Sequence, residues 1–292
     1  ESIYPGGYTP RITSNILDNS FAAGFRTETA SGWKIDISNT YGKNLFHYFI
    51  KGTINASLEE ASPTEFDAGG HSLSQNTMNF DFSKNYSSVL NGMNIAFGAE
   101  FRTEKFNIFA GEQGSYATYD TNGLPITNPV TQSAPIDPIS EEARPGGSQG
   151  FPGYSPANAV DQSRTNLSLY SDAEFDLSEN FLVSTAVRYE NYSDFGSTLN
   201  GKIAARLKAS KNINFRGSLS TGFRAPSLAQ IYYNLRFTNF SSSGASEILL
   251  SPNNSPVTKA FGIDKLNEEK AINGSLGMTA NFGDFTATID GY

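Results

Sequence analysis

Along most of this chain apolar and polar residues take turns with a period of two, the spacing of a β-strand whose two faces meet different surroundings. In "TNLSLYSDAEFDL", Leu167, Leu169, Ala173, Phe175 and Leu177 alternate with Asn166, Ser168, Asp172, Glu174 and Asp176. The turn "SEN" leads to Phe181, Val183, Val187 and Tyr189, set against Ser184, Arg188 and Glu190. Ile203, Ala205 and Leu207 then oppose Lys202, Arg206 and Lys208, "SKN" turns the chain, and Ile213, Phe215 and Leu219 oppose Asn214, Arg216 and Ser218. Nearer the start, Trp33, Ile35 and Ile37 alternate with Lys34, Asp36 and Ser38, and "YGKN" predicts a turn. A long strand would follow, with Phe46, Tyr48, Ile50, Ile54, Ala56 and Leu58 on one face. Met78, Phe80 and Phe82, then Met93 to Phe101, and finally Leu276 to Ile289 repeat the pattern, for about ten strands and no amphipathic helix.

The connections sharpen this. Short turns at 41–44, 83–91, 178–180, 209–212 and 282–284 alternate with longer loops, moderate at 59–74 and 192–198 and very long at 110–162 and 223–268. A compact soluble domain rarely holds a structureless loop of about 50 residues. Outer-membrane barrels, by contrast, alternate short periplasmic turns with long extracellular loops. Charges such as Asp172, Glu174, Arg188, Glu190, Arg206 and Arg216 fall opposite the apolar face, several of them mid-strand, as a wet lumen allows. Phe181, Tyr189, Tyr192, Phe282 and Phe285, near strand ends, suit interfacial girdles. The fold class expected is therefore all-β, an antiparallel transmembrane barrel portion belonging to a larger up-and-down barrel.

Composition removes other classes. The chain has 292 residues, no cysteine and two histidines, so disulfides and thiolate or multi-histidine metal sites are not expected. Net charge is −8 without a basic tract, which argues against nucleic acid. "GHSLS" (70–74) approaches the G-x-S-x-G elbow but lacks its strand–turn–helix context and reads as polar loop. "PGGSQGFPG" lacks the Lys-Ser/Thr of a phosphate loop, and Glu59/Glu60, Glu141/Glu142 and Glu268/Glu269 lack metal-ligand spacing. The N-x-S/T triplets lie largely within strands and carry no weight as glycosylation sites. No catalytic residue, cofactor or metal is expected.

The ordered series "GWKIDISNTYGKNLFHYFIKGTINASLEEASPTEFDAGG", "QNTMNFDFS", "MNIAFGAEFRTEKFNIFAGEQGSY", "RYENYSDFGSTLNGKIAARLK" and "FRGSLSTGFRAPSLAQ" resembles the barrel of a TonB-dependent outer-membrane receptor. That resemblance covers nearly the whole chain. It implies a barrel of about 22 strands with a plug inside, of which residues 1–292 would be one portion, without plug or TonB box. The break within "FTATIDGY" likewise suggests a piece of a longer protein. The implied function is active uptake of a scarce large solute (iron chelate, haem, cobalamin or oligosaccharide) across the bacterial outer membrane. The implied partners are membrane lipid, the protein's own plug, and TonB through the plug. Phe223, Arg224, Ala225 and Pro226 match a quartet noted in haem receptors and widespread in the family, but no Asn-Pro-Asn-Leu box stands at "KLNEEKA" and no histidine follows. The quartet reads as a rim feature where a strand ends.

Within the long loops, Tyr116, Tyr119, Phe151, Tyr154, Tyr232, Tyr233, Phe237 and Phe240 form the candidate solute-binding set, because rigid aromatic rings make good anchors. They serve equally to pin loops to the barrel rim. Asp172, Glu174, Arg188, Glu190, Arg206 and Arg216 are candidates to face the lumen and plug. Rival readings are a passive porin or adhesin barrel, and a secreted β-rich carbohydrate-binding protein. An open sheet of this kind, with two bare edges and an apolar face, is not expected to fold alone in water.

Overall fold

The computed structural model describes residues 3–241 and 244–292, with the side chains of 236–247 outside the described set. Eight strands follow one another: β1 (Arg11–Glu28), β2 (Lys34–Lys51), β3 (Glu65–Tyr86), β4 (Met93–Phe109), β5 (Val160–Ser178), β6 (Phe181–Tyr192), β7 (Gly196–Lys208) and β8 (Ile213–Arg224). A separate hairpin, β9 (Leu235–Ser241) and β10 (Gly244–Leu250), precedes β11 (Glu269–Phe282) and β12 (Phe285–Gly291). Ten of the strands form one antiparallel sheet in the order β1-β2-β3-β4-β5-β6-β7-β8-β11-β12. Each strand thus pairs with the next, apart from the excursion through the hairpin. Three single-turn helices, α1 (Gln113–Tyr116), α2 (Leu228–Tyr232) and α3 (Pro256–Ala260), sit in the loops. Among the described residues no helix is long and apolar enough to cross a membrane.

Register keeps the two faces apart. On the apolar face Phe101 lies between Met78 and Leu167, and Ala99 between Phe80 and Leu169. Leu167 and Leu169 are about half exposed (48 % and 51 %), although they are mid-strand leucines. That exposure is costly in water and natural against lipid. The opposite face carries Glu100, Ser168, Glu190 and Thr198 in one row across four strands. Asp172, Glu174, Arg188, Arg206 and Arg216 share that polar face by the same registers.

Five turns of two to six residues lie at one end: 29–33, 87–92, 179–180, 209–212 and 283–284. The other end carries the long loops 52–64, 110–159 and 225–268, and one three-residue turn, 193–195, where a moderate loop was expected. The expected alternation of connections is therefore present, with several boundaries corrected. "YGKN" is no turn, because β2 runs through it with Gly42 paired to Ser20 and to Gln75. Strand β1 was not expected at all. The strand expected to continue to Leu58 stops at Lys51, and a short 3-10 helix occupies Ala56–Ala61. Phe46 and Tyr48 lie on the polar face, in the rows of His71 and Gly69. "GHSLS" lies inside β3 and not in a loop. Tyr192 is buried on the polar face, so it does not join a lipid-facing girdle.

Two glycines on the polar face let side chains meet across an intervening strand. Tyr170 of β5 donates its hydroxyl to Asp81 of β3 at 2.6 Å, over Gly98 of β4. Arg216 of β8 reaches Asp290 of β12 at 2.6 Å, over Gly277 of β11. A Cβ on Gly98 would stand 2.6 Å from the Tyr170 ring and 2.7 Å from the Asp81 carboxylate, and one on Gly277 would strike Asp290. Each close approach needs a residue without a side chain.

Candidate binding site: a loop-built cap over the polar face

Residues 110–159 fold into a cap tied to the strand ends by backbone hydrogen bonds. Tyr154 donates to Ala68 O (2.9 Å), Gly111 to Tyr154 O (2.9 Å), Glu112 to Asp67 O (2.9 Å) and Gln149 to Ile54 O (3.0 Å). Asn55, fully buried, fastens the 52–64 loop beneath it. Its amide donates to Gly114 O and Ala117 O at 2.8 and 2.9 Å, while its oxygen accepts from the Ser57 amide and hydroxyl. Such complete pairing is what a buried polar group requires.

Under the cap lies an apolar core of Phe106, Ile108, Tyr154 and Leu228, flanked by Tyr48, Phe151, Val160, Tyr232 and Tyr233. It joins β4 to both long loops. The Tyr154 and Tyr233 hydroxyls meet at 2.7 Å, linking the 110–159 loop to the end of α2. Burial, and then that hydrogen bond, push the Tyr154 phenol well above its ordinary range. The His71 ring stacks on Phe46 with centroids 5.6 Å apart. Ser72 lies on the other face from His71, paired with Leu45 and Asn107, and the Nε2 of the second histidine, His47, is engaged with Asp67 at 2.8 Å.

Beside this core Arg164 of β5 is almost fully enclosed, with 5 % of its side chain exposed. It bonds Glu104 through Nε, and its Nη1 donates to the Pro226 carbonyl at 2.5 Å and to Asp194 at 3.4 Å. The Asp194 carbonyl accepts from Lys265 at 2.5 Å, so the 193–195 turn holds both legs of the 225–268 loop. Tyr192 packs under the Arg164 guanidinium (5.2 Å), on Phe195 (4.5 Å) and against Phe223 (6.0 Å). Below runs a charged network. Arg188 donates to Glu190 (2.7 Å) and Glu100 (3.1 Å), Arg102 to the Tyr192 hydroxyl (2.7 Å), and Asn166 to Glu190 (3.2 Å).

Of the aromatic candidates, Tyr119 and Tyr154 are buried, while Tyr116, Phe151, Tyr232 and Tyr233 keep accessible surface. Phe237 and Phe240 belong to 236–247, whose side chains lie outside the described residues. In the quartet, β8 ends at Arg224, whose ion pair with Glu269 is long and exposed (3.9 Å). Pro226 is buried and gives its carbonyl to Arg164. Among the lumen candidates, Arg188 and Glu190 belong to the buried network, Arg216 pairs with Asp290, and Glu174 and Arg206 are exposed. Asp172 is half-buried on the same face. Arg164, Glu104 and Asp194 were not among the candidates. Extending the β5 alternation back from Asn166 by one step would have found Arg164. Among the described residues no group of three or more His, Asp or Glu side chains is placed to hold a metal. The site offers rings, hydroxyls and paired charges, which suit binding.

Comparison with known proteins gives the following. The family described as TonB-dependent receptor-like β-barrel matches residues 2–292. A search of curated sequences found no match. Among solved structures, the siderophore receptor PirA of Acinetobacter baumannii is similar over 95 % of this chain and 34 % of its own, with 16 % identity and a TM-score of 0.61. A mutant of the ferric enterobactin receptor PfeA of Pseudomonas aeruginosa gives 12 % identity and 0.62 over the same shares. The RagAB peptide importer gives 12 % identity and 0.58, over 96 % of this chain and 30 % of its own. At these identities the likeness is one of fold, and the chain spans about a third of the length of those structures.

Proposed function

Since this chain belongs to the TonB-dependent receptor β-barrel family, we propose that it forms the loop-bearing wall of a receptor that takes up a scarce, large solute by active transport. Barrels of this family are proteins of the bacterial outer membrane, and the half-exposed leucines of the apolar face fit lipid contact. The family and fold are those of transport receptors.

The observation that carries the proposal is the folded cap. Loops 52–64, 110–159 and 225–268 converge over the polar face, joined by Asn55, the Tyr154–Tyr233 hydroxyl pair and Arg164. Loops with this much buried structure offer a rigid surface on which a large solute can be held. In the proposal Tyr116, Phe151, Tyr232 and Tyr233 contact the solute, Phe237 extends the set, and Tyr119 and Tyr154 support these rings from behind. Asp172, Glu174, Arg206 and Arg216 face the protein's own plug, with Arg188 and Glu190 bracing the wall, and TonB acts through that plug. The solute classes proposed are iron chelates first, then haem, cobalamin and oligosaccharides. A ferric siderophore heads the test because two structural neighbours are siderophore receptors.

The test uses the full-length receptor in a bacterial host stripped of its own receptors, with labelled ferric siderophores, haem, cobalamin, peptides and oligosaccharides supplied singly. One of them should accumulate only when TonB is present. Tyr116→Ala with Tyr232→Ala should weaken its binding by about tenfold or more, the scale of two aromatic contacts. Equal accumulation without TonB would establish the porin reading instead.

A further inference from the structure

The apolar face at the short-turn end holds one lysine among aromatic rings. Lys84 near the end of β3 places its ammonium 4.7 Å from the Tyr86 ring centroid and 5.7 Å from that of Trp33. Its stem lies against Gly32 of the 29–33 turn. Trp33 meets Phe97 edge-on at 5.6 Å, and Phe97 stacks on Phe82 at 5.3 Å, so the cation rests on the margin of an aromatic band. Register puts Lys84 opposite Ile95 and Tyr86 opposite Met93. Ile35, Ala173 and Phe175 continue the same face, so the residues paired around Lys84 on it are not acidic. Among the described residues Lys84 makes no ion pair, and the Thr29 and Ser31 hydroxyls stand together on the adjoining turn, 3.0 Å apart.

A lysine on a lipid-facing wall extends its stem along apolar surface and brings its ammonium to the headgroup level. Here two rings fix that ammonium in place, which removes much of the entropy a free lysine would lose on binding. Among the described residues no carboxylate pairs with this cation, and the bilayer supplies an anion. We propose that Lys84, Trp33 and Tyr86, with the Thr29 and Ser31 hydroxyls, form a site for the phosphate of an anionic phospholipid of the phosphatidylglycerol class in the periplasmic leaflet. The ammonium pairs with the phosphate, whichever of the Thr29 and Ser31 hydroxyls accepts from the other donates its own proton to a phosphate oxygen, and the rings pack on the glycerol and upper acyl chains. The inference depends on the barrel fold and not on any solute, so its failure would leave the uptake proposal standing.

The test is quenching of Trp33 fluorescence by brominated lipids in vesicles holding the full-length receptor. Phosphatidylethanolamine is the host lipid and brominated phosphatidylglycerol is titrated in, with Trp33→Phe serving only as the optical blank. Wild type should prefer phosphatidylglycerol at this position by about fivefold, the scale of one lysine at an anionic surface. Lys84→Gln should abolish the preference and Lys84→Arg should keep it. Should the Gln variant fail to insert, Lys84→Met replaces it and must show the same loss. No preference in wild type, or an unchanged preference without the lysine, overturns the site. Displacement of the lipid by millimolar inorganic phosphate would show a free-anion site and overturn the lipid assignment.

Discussion

Replacing Arg164 by Met removes the cation at the root of the 225–268 loop while keeping an unbranched stem of similar reach. Its partners Glu104 and Asp194 have only 15 % and 17 % of their side chains exposed, so the variant leaves two carboxylates without compensation. Breaking a buried pair in this way costs about 3–5 kcal/mol. The expected penalty lies at the lower end of that range, about 3 kcal/mol, since neither carboxylate is wholly enclosed. Because the Pro226 carbonyl is held by the same guanidinium, α2 should register the loss. Hydrogen exchange at the Gln230, Ile231 and Tyr233 amides, all hydrogen-bonded within α2, should accelerate by about a hundredfold or more. The double variant with Glu104→Gln removes one of the two stranded carboxylates and should recover part of that protection, with Asp194 still uncompensated. Unchanged protection in the Arg164→Met variant would refute the latch. An equal loss in the single and double variants would show that packing and not charge holds the root.

Other perturbations probe the cap and the wall. Tyr154→Phe strands the Tyr233 hydroxyl and should cost about 1–2 kcal/mol in cap opening, read by exchange at Gly111, with the Tyr154/Tyr233 double phenylalanine costing less than the sum of the two. Since the folded Tyr154 phenol binds its proton more tightly than the unfolded one, cap stability should be steady up to about pH 10 and decline above it. Tyr154→Phe should flatten that decline, and a slope unchanged by the substitution would contradict it. Asn55→Ala leaves the Gly114 and Ala117 carbonyls unpaired in a fully buried place, so limited proteolysis should cut the 110–159 loop at least tenfold faster. Gly98→Ala forces apart the Tyr170–Asp81 bond and should lower the unfolding midpoint in urea, by about 1–3 kcal/mol of stability. No shift in that midpoint would mean the strands yield freely.

Strands β5 to β8 are legible in the sequence because each alternates cleanly and compact polar turns join each to the next. Strand β1 is not, since its apolar face mixes Leu17, Phe21 and Phe25 with Asn15 and Asn19, which weakens the period. "YGKN" misleads for a related reason. Gly and Asn favour turns on local grounds, yet β1 and β3 supply backbone partners on both sides and tertiary pairing wins. The expected number of strands agrees with the sheet through two opposite errors, since a turn at 41–44 adds a strand and the missing β1 removes one. The aromatic loop residues are visible as a composition. Their meeting at Tyr154 and Tyr233, 79 positions apart, is not, because nothing local encodes which loop folds over which. Arg164 was hidden by a strand start placed too late, and its partners Asp194 and Pro226 by lying in connections with no period to read.

The two bare backbone positions beneath Tyr170–Asp81 and Arg216–Asp290 also answer a question of registration. In a wall with distinct faces, sliding a strand by one residue turns every side chain the wrong way, but sliding it by two restores inside and outside and goes unpunished by hydropathy. A slide of two would bring Ala96 or Glu100 to the place of Gly98, and Ser275 or Thr279 to that of Gly277. Either substitute would wedge between partners that now touch. The gaps therefore act as keys that fit a single alignment, proofreading an ambiguity that alternation alone leaves in every long barrel strand.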